Sequence, residues 1–155
     1  MQLQYLPIAE AQTDDVVQYF KPNNRSTGFI NESLYITREP YISDGYHTHH
    51  AGPGTIRVKF DTNRSQNGWA EGYFKLVKTK TGNHAKVGDL CILIKDHPNS
   101  TLGPKCNTVF RATGIRNNVV ISDIPTPFGS PTWEIPQHLF KVLVTPQRIT
   151  KPKPL

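Results

Sequence analysis

Gly88-Asp89-Leu90-Cys91-Ile92-Leu93-Ile94 decides how this chain is read, because it is the most apolar run in an otherwise polar protein. A continuous apolar run bounded by a turn suits a strand buried on both faces. Working outward, residues 55–60 alternate, with Ile56, Val58 and Phe60 on one side and Arg57 and Lys59 on the other. That is a half-buried strand whose open, cationic side suits phosphate. Residues 73–78 repeat the alternation, Phe74 and Leu76 opposing Tyr73, Lys75 and, less neatly, Val77. Short strands are further expected at 33–37, around Leu34 and Ile36, and at 139–144. Residues 108–113 and 118–122 form a pair joined through Gly114-Ile115-Arg116-Asn117.

One helix is expected over residues 9–20, capped by Thr13, with Asp14 and Asp15 in its first turn and Val16, Val17 and Phe20 along one side, and ended by Pro22. Residues 79–87 read as polar loop, and 125–136, with four prolines, as a long connection. Six or seven short strands with few helices indicate a mainly β domain, a small barrel or sandwich.

The chain has 155 residues, enough for one domain with a real core. We place that domain at 1–145, followed by a basic, proline-rich linker or tail at 146–155 that carries Arg148, Lys151 and Lys153 among Pro146, Pro152 and Pro154. Lysine and arginine total 18 against 12 acids, a formal charge of +6 that attracts a polyanion. No basic amphipathic helix, membrane-length apolar stretch or signal-peptide pattern is visible, so a membrane partner is not expected. The two cysteines, Cys91 and Cys106, match no paired metal-ligand spacing, and Cys91 lies in the apolar run. Free thiols point to a reducing, cytoplasmic setting.

His47-Thr48-His49-His50, near Asp44, is the one stretch that invites a metal. A usable site needs three or four ligands, and no second cluster supplies them, so we assign no metal and no cofactor. Contact of these histidines with phosphate or base is the better use of them. No nucleophile elbow, Walker loop or dinucleotide fingerprint occurs, and Asp61 and Glu71 lack the lysine spacing of a nuclease site. We therefore assign no catalytic residue.

Two polar loops remain. The first offers Lys21, Asn23, Asn24, Arg25, Ser26, Thr27 and Asn31; the second offers Asn63, Arg64, Gln66, Asn67, Trp69, Glu71, Tyr73 and Lys75. A purely electrostatic binder would need only lysines and arginines. Carboxamides beside arginine are instead the equipment of base readout: arginine chelates guanine, asparagine or glutamine chelates adenine, and glutamate accepts from cytosine.

Ser26-Thr27-Gly28 followed by Ser33-Leu34-Tyr35-Ile36, then Asn63-Arg64-Ser65 through Glu71-Gly72-Tyr73-Phe74-Lys75-Leu76, then Val87-Gly88-Asp89-Leu90-Cys91-Ile92-Leu93, together resemble the B3-like DNA-binding pseudobarrel. That family includes plant transcription factors and the recognition domain of EcoRII-type and related prokaryotic restriction endonucleases. The resemblance spans roughly residues 20–95. It departs at Thr37-Arg38, where the family has a proline, and at residues 43–54, which have no counterpart. It implies a small open pseudobarrel of about seven strands with two arms straddling the major groove of double-stranded DNA, and cleavage by a nuclease or motor domain elsewhere in the protein. Asn24, Arg25, Arg64, Gln66, Asn67 and Lys75 would make the contacts, with Trp69 and Phe74 supporting the second arm. Two other readings stay open. One is a modified-base reader of the pseudouridine-synthase-like (PUA/EVE) class, holding a flipped base on Trp69, Tyr73 or Trp133. The other is a small metal-dependent nuclease using the histidine loop.

Overall fold

A computed structural model describes residues 2–23, 28–38, 55–59, 68–99 and 101–145. The architecture is mainly β and open, as the sequence leads one to expect, with short 3-10 turns and no long helix among the described residues. One sheet has four strands, in the order β1 (Tyr5–Leu6), β6 (Phe74–Val77), β2 (Val16–Tyr19), β3 (Leu34–Ile36). A second has six, in the order β11 (Gly129–Pro136), β10 (Val119–Thr126), β9 (Val109–Arg116), β8 (Leu90–Leu93), β12 (Phe140–Leu143), β7 (Thr79–Thr81). A two-stranded ribbon pairs β4 (Thr55–Arg57) with β5 (Gly68–Ala70).

The apolar run sits where its composition requires. β8 is hydrogen-bonded on both edges, to β9 and β12. Cys91 and Leu93 enter a cluster with Phe110, Val120, Ile135 and Phe140. Ile92 and Ile94 enter the opposite one with Val16, Leu34, Ile36 and Val77 of the four-stranded sheet. The period of two along a strand places successive apolar side chains in two different cores. Gly88, at φ 95°, makes the turn into β8, and Asp89 closes it by accepting from the Lys86 amide at 2.8 Å.

The two sheets meet at Lys78, where the chain leaves β6 for β7. The Lys78 amide donates to the Gln4 carbonyl at 2.8 Å, the Val144 amide to the Lys78 carbonyl at 3.2 Å, and the Gln4 amide to the Val144 carbonyl at 3.2 Å. Asn107 ties the sheets a second time: its side chain accepts from the Ile36 amide at 2.8 Å and donates to the Lys59 carbonyl at 2.6 Å. It holds a left-handed backbone at φ 74°, which asparagine tolerates better than most residues. Just before β12 the backbone closes on Gly82, where a Cβ would lie 2.0 Å from the Gln137 carbonyl oxygen, so a side chain there must push the backbone aside.

Four expectations are corrected. The helix over residues 9–20 does not form: Ile8–Glu10 is a single 3-10 turn and Val16–Tyr19 is a strand, with all four residues buried. Asp14 takes φ 66°, which no right-handed helix accommodates, and the Thr37 hydroxyl captures the Asp15 amide at 3.0 Å. Val16 and Val17 enter different cores, a task for a β-branched pair on a strand rather than for one face of a helix. The proline-rich stretch 125–136 is no loose connection, because β10 runs to Thr126 and β11 returns from Gly129. β11 is the sheet's outer edge, where prolines cost no ladder hydrogen bond. Pro125 lies beyond Ser122, the last β10 residue paired with β9. Likewise β9 continues through Gly114, Ile115 and Arg116, and only Asn117-Asn118 turns. The polar stretch after Lys78 supplies edge strand β7, and Tyr5–Leu6 adds β1. The tail at 146–155 lies outside the described residues.

Candidate nucleic-acid interface

Aromatic residues build the root of both loops. Tyr19 ends β2, Phe74 opens β6, and the two are directly paired. Phe29, from the first loop, stacks on Tyr19 (centroids 5.2 Å, 22°) and meets Tyr35 and Phe74 edge-on at 5.1 and 5.2 Å. Ile56 and Val58, from the ribbon that leads into the second loop, complete this third apolar cluster. The Phe20 amide donates to the Tyr73 carbonyl at 2.9 Å, so the first residue past β2 is bonded to the last before β6. The described flanks of both loops thus share one buried core.

The described members of the first loop are Lys21, Asn23 and Asn31, all exposed. The Asn23 side chain accepts from the Asn31 amide at 2.9 Å and so pins the start of the loop to its end. The Tyr19 hydroxyl donates to the Pro22 carbonyl at 3.0 Å. Asn24, Arg25, Ser26 and Thr27 lie outside the described residues, as do Asn63, Arg64, Gln66 and Asn67. Trp69 and Glu71 are placed by backbone only, in β5 and in the 3-10 turn Glu71–Tyr73. Tyr73 is half-buried, edge-on to Tyr19 at 6.4 Å, with the Lys21 ammonium 5.3 Å from its ring. Lys75 is exposed at the centre of β6. Phe74, expected to support the second arm, is buried in the shared cluster.

Lys59 does not present an open cation as the alternation of β4 suggests. Its ammonium pairs with Asp14 and donates to the Ile94 carbonyl at 3.0 Å, which turns it toward the body of the protein. Trp133 belongs to β11 and packs against His97 at 4.9 Å, whereas Tyr73, in the turn before β6, packs against Tyr19. The histidines at 47, 49 and 50 lie outside the described residues, and among the described residues no three metal-binding side chains gather. Tyr5 and Phe20 carry no signal in the linear sequence, yet both rings flank Lys75, because the pairing of β1 with β6 is set by distant residues.

Cys91 and Cys106 are free thiols. Burial, reinforced by the Asp89 carboxylate and partly offset by the Arg111 guanidinium, pushes the Cys91 thiol up to about 12. Folding therefore favours its protonated form. The thiol leaves stability flat below its ordinary value of 9.0, and stability declines from there toward about 12, where the unfolded chain ionises first. In alkaline unfolding, the wild type should lose stability faster than Cys91→Val across that window. Equal slopes for the two proteins would show that the thiol is not held protonated. The folded wild type should also leave Cys91 unalkylated at neutral pH.

No helix among the described residues is long and apolar enough to cross a membrane. Comparison with protein-family models, with curated proteins and with solved structures finds no match for this chain.

Proposed function

We propose that this chain is a sequence-specific double-stranded DNA-binding module of the B3-like kind. In this reading it is the recognition part of a prokaryotic restriction system, acts in the cytoplasm, and leaves cleavage to a separate domain. The observation that carries the reading is the common root of the two polar loops. Joined through the Phe20–Tyr73 backbone bond and one aromatic cluster, they are held as a pair, as two arms embracing a duplex must be. The charge of +6 supplies the sequence-independent attraction, and the carboxamides supply the means of discrimination. Two free cysteines suit a reducing compartment.

The test begins with selection from random duplexes, with and without methylated cytosine. A competition titration between the selected site and a scrambled one follows, over a series of salt concentrations. Asn67→Ala removes no charge; it should cost about 1–3 kcal/mol on the selected site and leave non-specific binding and its salt dependence nearly intact. Arg64→Ala should relax the preference at one position. If both variants keep the wild-type ratio of specific to non-specific affinity, the second loop does not read sequence and the proposal fails. The isolated chain should leave DNA uncut. EDTA-sensitive cleavage abolished by a His49 substitution would favour the nuclease reading instead.

A further inference from the structure

Two kinds of setting stand out among the described lysines. Lys59 and Lys141 are held by carboxylates, Asp14 and Asp15. Lys75 and Lys21 are seated on aromatic rings instead, and among the described residues no carboxylate pairs with either. The Lys75 ammonium lies 4.5 Å from the centroid of Phe20 and 5.2 Å from that of Tyr5, and these rings meet edge-on at 6.0 Å. An ammonium over ring faces is attracted by their quadrupoles without being neutralised.

The seat is itself braced. The Tyr5 hydroxyl donates to the side-chain carbonyl of Gln18 at 2.6 Å, and the Gln18 amide donates to the Glu32 carbonyl at 2.8 Å. Gln18 is buried and directly opposite Lys75 across β2 and β6. Burial, followed by the Glu32 carboxylate, holds the Tyr5 phenol above its ordinary value, so it remains the donor. The chain Tyr5–Gln18–Glu32 therefore fixes one ring of the seat and ties β1 to the end of the first loop. Lys21, over Tyr73, stands one residue past the Phe20–Tyr73 bond.

We propose that Lys75 and Lys21 are the phosphate anchors at the root of the two arms, and that Tyr5 and Phe20 are positioning residues which hold the Lys75 ammonium ready for the backbone of a DNA duplex. The inference rests on the DNA-binding reading above. It divides the labour within that site: the roots grip phosphate whatever the sequence, and the loop tips discriminate.

The experiment measures anisotropy of a short fluorescent duplex, selected or scrambled in sequence, over a salt series. Lys75→Met keeps the aliphatic stem and removes the charge. It should weaken both duplexes equally and lower the salt slope by about one. Tyr5→Leu and Phe20→Leu keep the charge; each should weaken both duplexes about two- to fivefold with the slope unchanged. Tyr5→Phe, which keeps the ring and loses its brace on Gln18, should fall between the wild type and Tyr5→Leu, again with the slope unchanged. Proton NMR of the free protein gives a readout apart from DNA: ring currents should shift the Lys75 ε-methylene upfield, and Tyr5→Leu should reduce that shift. A duplex-binding wild type whose affinity and slope survive Lys75→Met would overturn the anchor and leave the DNA-binding reading standing. A loss confined to the selected duplex would make Lys75 a reader and likewise overturn it. Wild-type affinity in both leucine variants would overturn the positioning roles of Tyr5 and Phe20. A wild type that binds no duplex would bring down both proposals together.

Discussion

Phe29→Ala is expected to destabilise the protein by about 3–5 kcal/mol, as buried aromatic-to-alanine changes do. Phe29 is 1% exposed and sits at the centre of the aromatic root, stacked on Tyr19 and edge-on to Tyr35 and Phe74. Part of the loss is transfer and cavity, and part is the ring–ring geometry, worth about 0.5–1.5 kcal/mol per pair beyond area. The described flanks of both loops pack on this ring, so on the proposed DNA-binding reading a Phe29→Ala protein that still folds should lose selected-site affinity more than scrambled-site affinity. Phe29→Leu, which refills most of the volume, should recover much of both. Denaturant unfolding checks the first part and the competition titration the second. An unchanged midpoint would show that the ring is not the shared root.

Ile92→Ala is expected to cost about 2–5 kcal/mol. Ile92 is fully buried in a strand paired on both edges, between the apolar faces of the two sheets. Its neighbours there include Val16, Ile36 and Leu143, from three different strands, so collapse around the missing atoms would have to move two sheets at once. A cavity that cannot close puts the cost toward the upper end of that range. Ile92→Val, which removes one methylene, should cost about 0.5–1.5 kcal/mol. The check is equilibrium unfolding of the wild type and both variants. An alanine variant with the wild-type midpoint would contradict the placement of β8 between two cores.

How much of this was legible in the chain varies with the range of the forces involved. β8 was legible, because an unbroken apolar run can only be satisfied by burial on both faces. So were β4 and β6, since alternation with period two is a local signal; Phe74 and Leu76 are buried and Lys75 is exposed, as the pattern requires. The same rule failed for Lys59, where the cationic face is covered from outside the strand by Asp14, 45 residues away.

Residues 9–20 show the opposite balance. Their local cues, two aspartates after a threonine and an apolar stripe, are those of a helix start. The outcome was decided by partners remote in sequence: Ile36 and Val77 beside Val16, and the Thr37 hydroxyl on the Asp15 amide. The prolines of 125–136 misled for a related reason. Proline forbids a strand only where the ladder needs its N–H, and whether β11 would be an edge is a property of the sheet, not of the segment.

By itself, the sequence determined the mainly β class, the central strand, the basic charge and the composition of two polar loops, because these follow from side-chain chemistry and short-range periodicity. The tertiary structure alone decided that the loops share one aromatic root, that Lys59 is spent on Asp14, and that Lys75 lies between Tyr5 and Phe20 with its charge unpaired among the described residues. Each of these depends on pairings between strands far apart in the chain, β1 with β6 and β2 with both β6 and β3, whose register is set by what the whole sheet can bury.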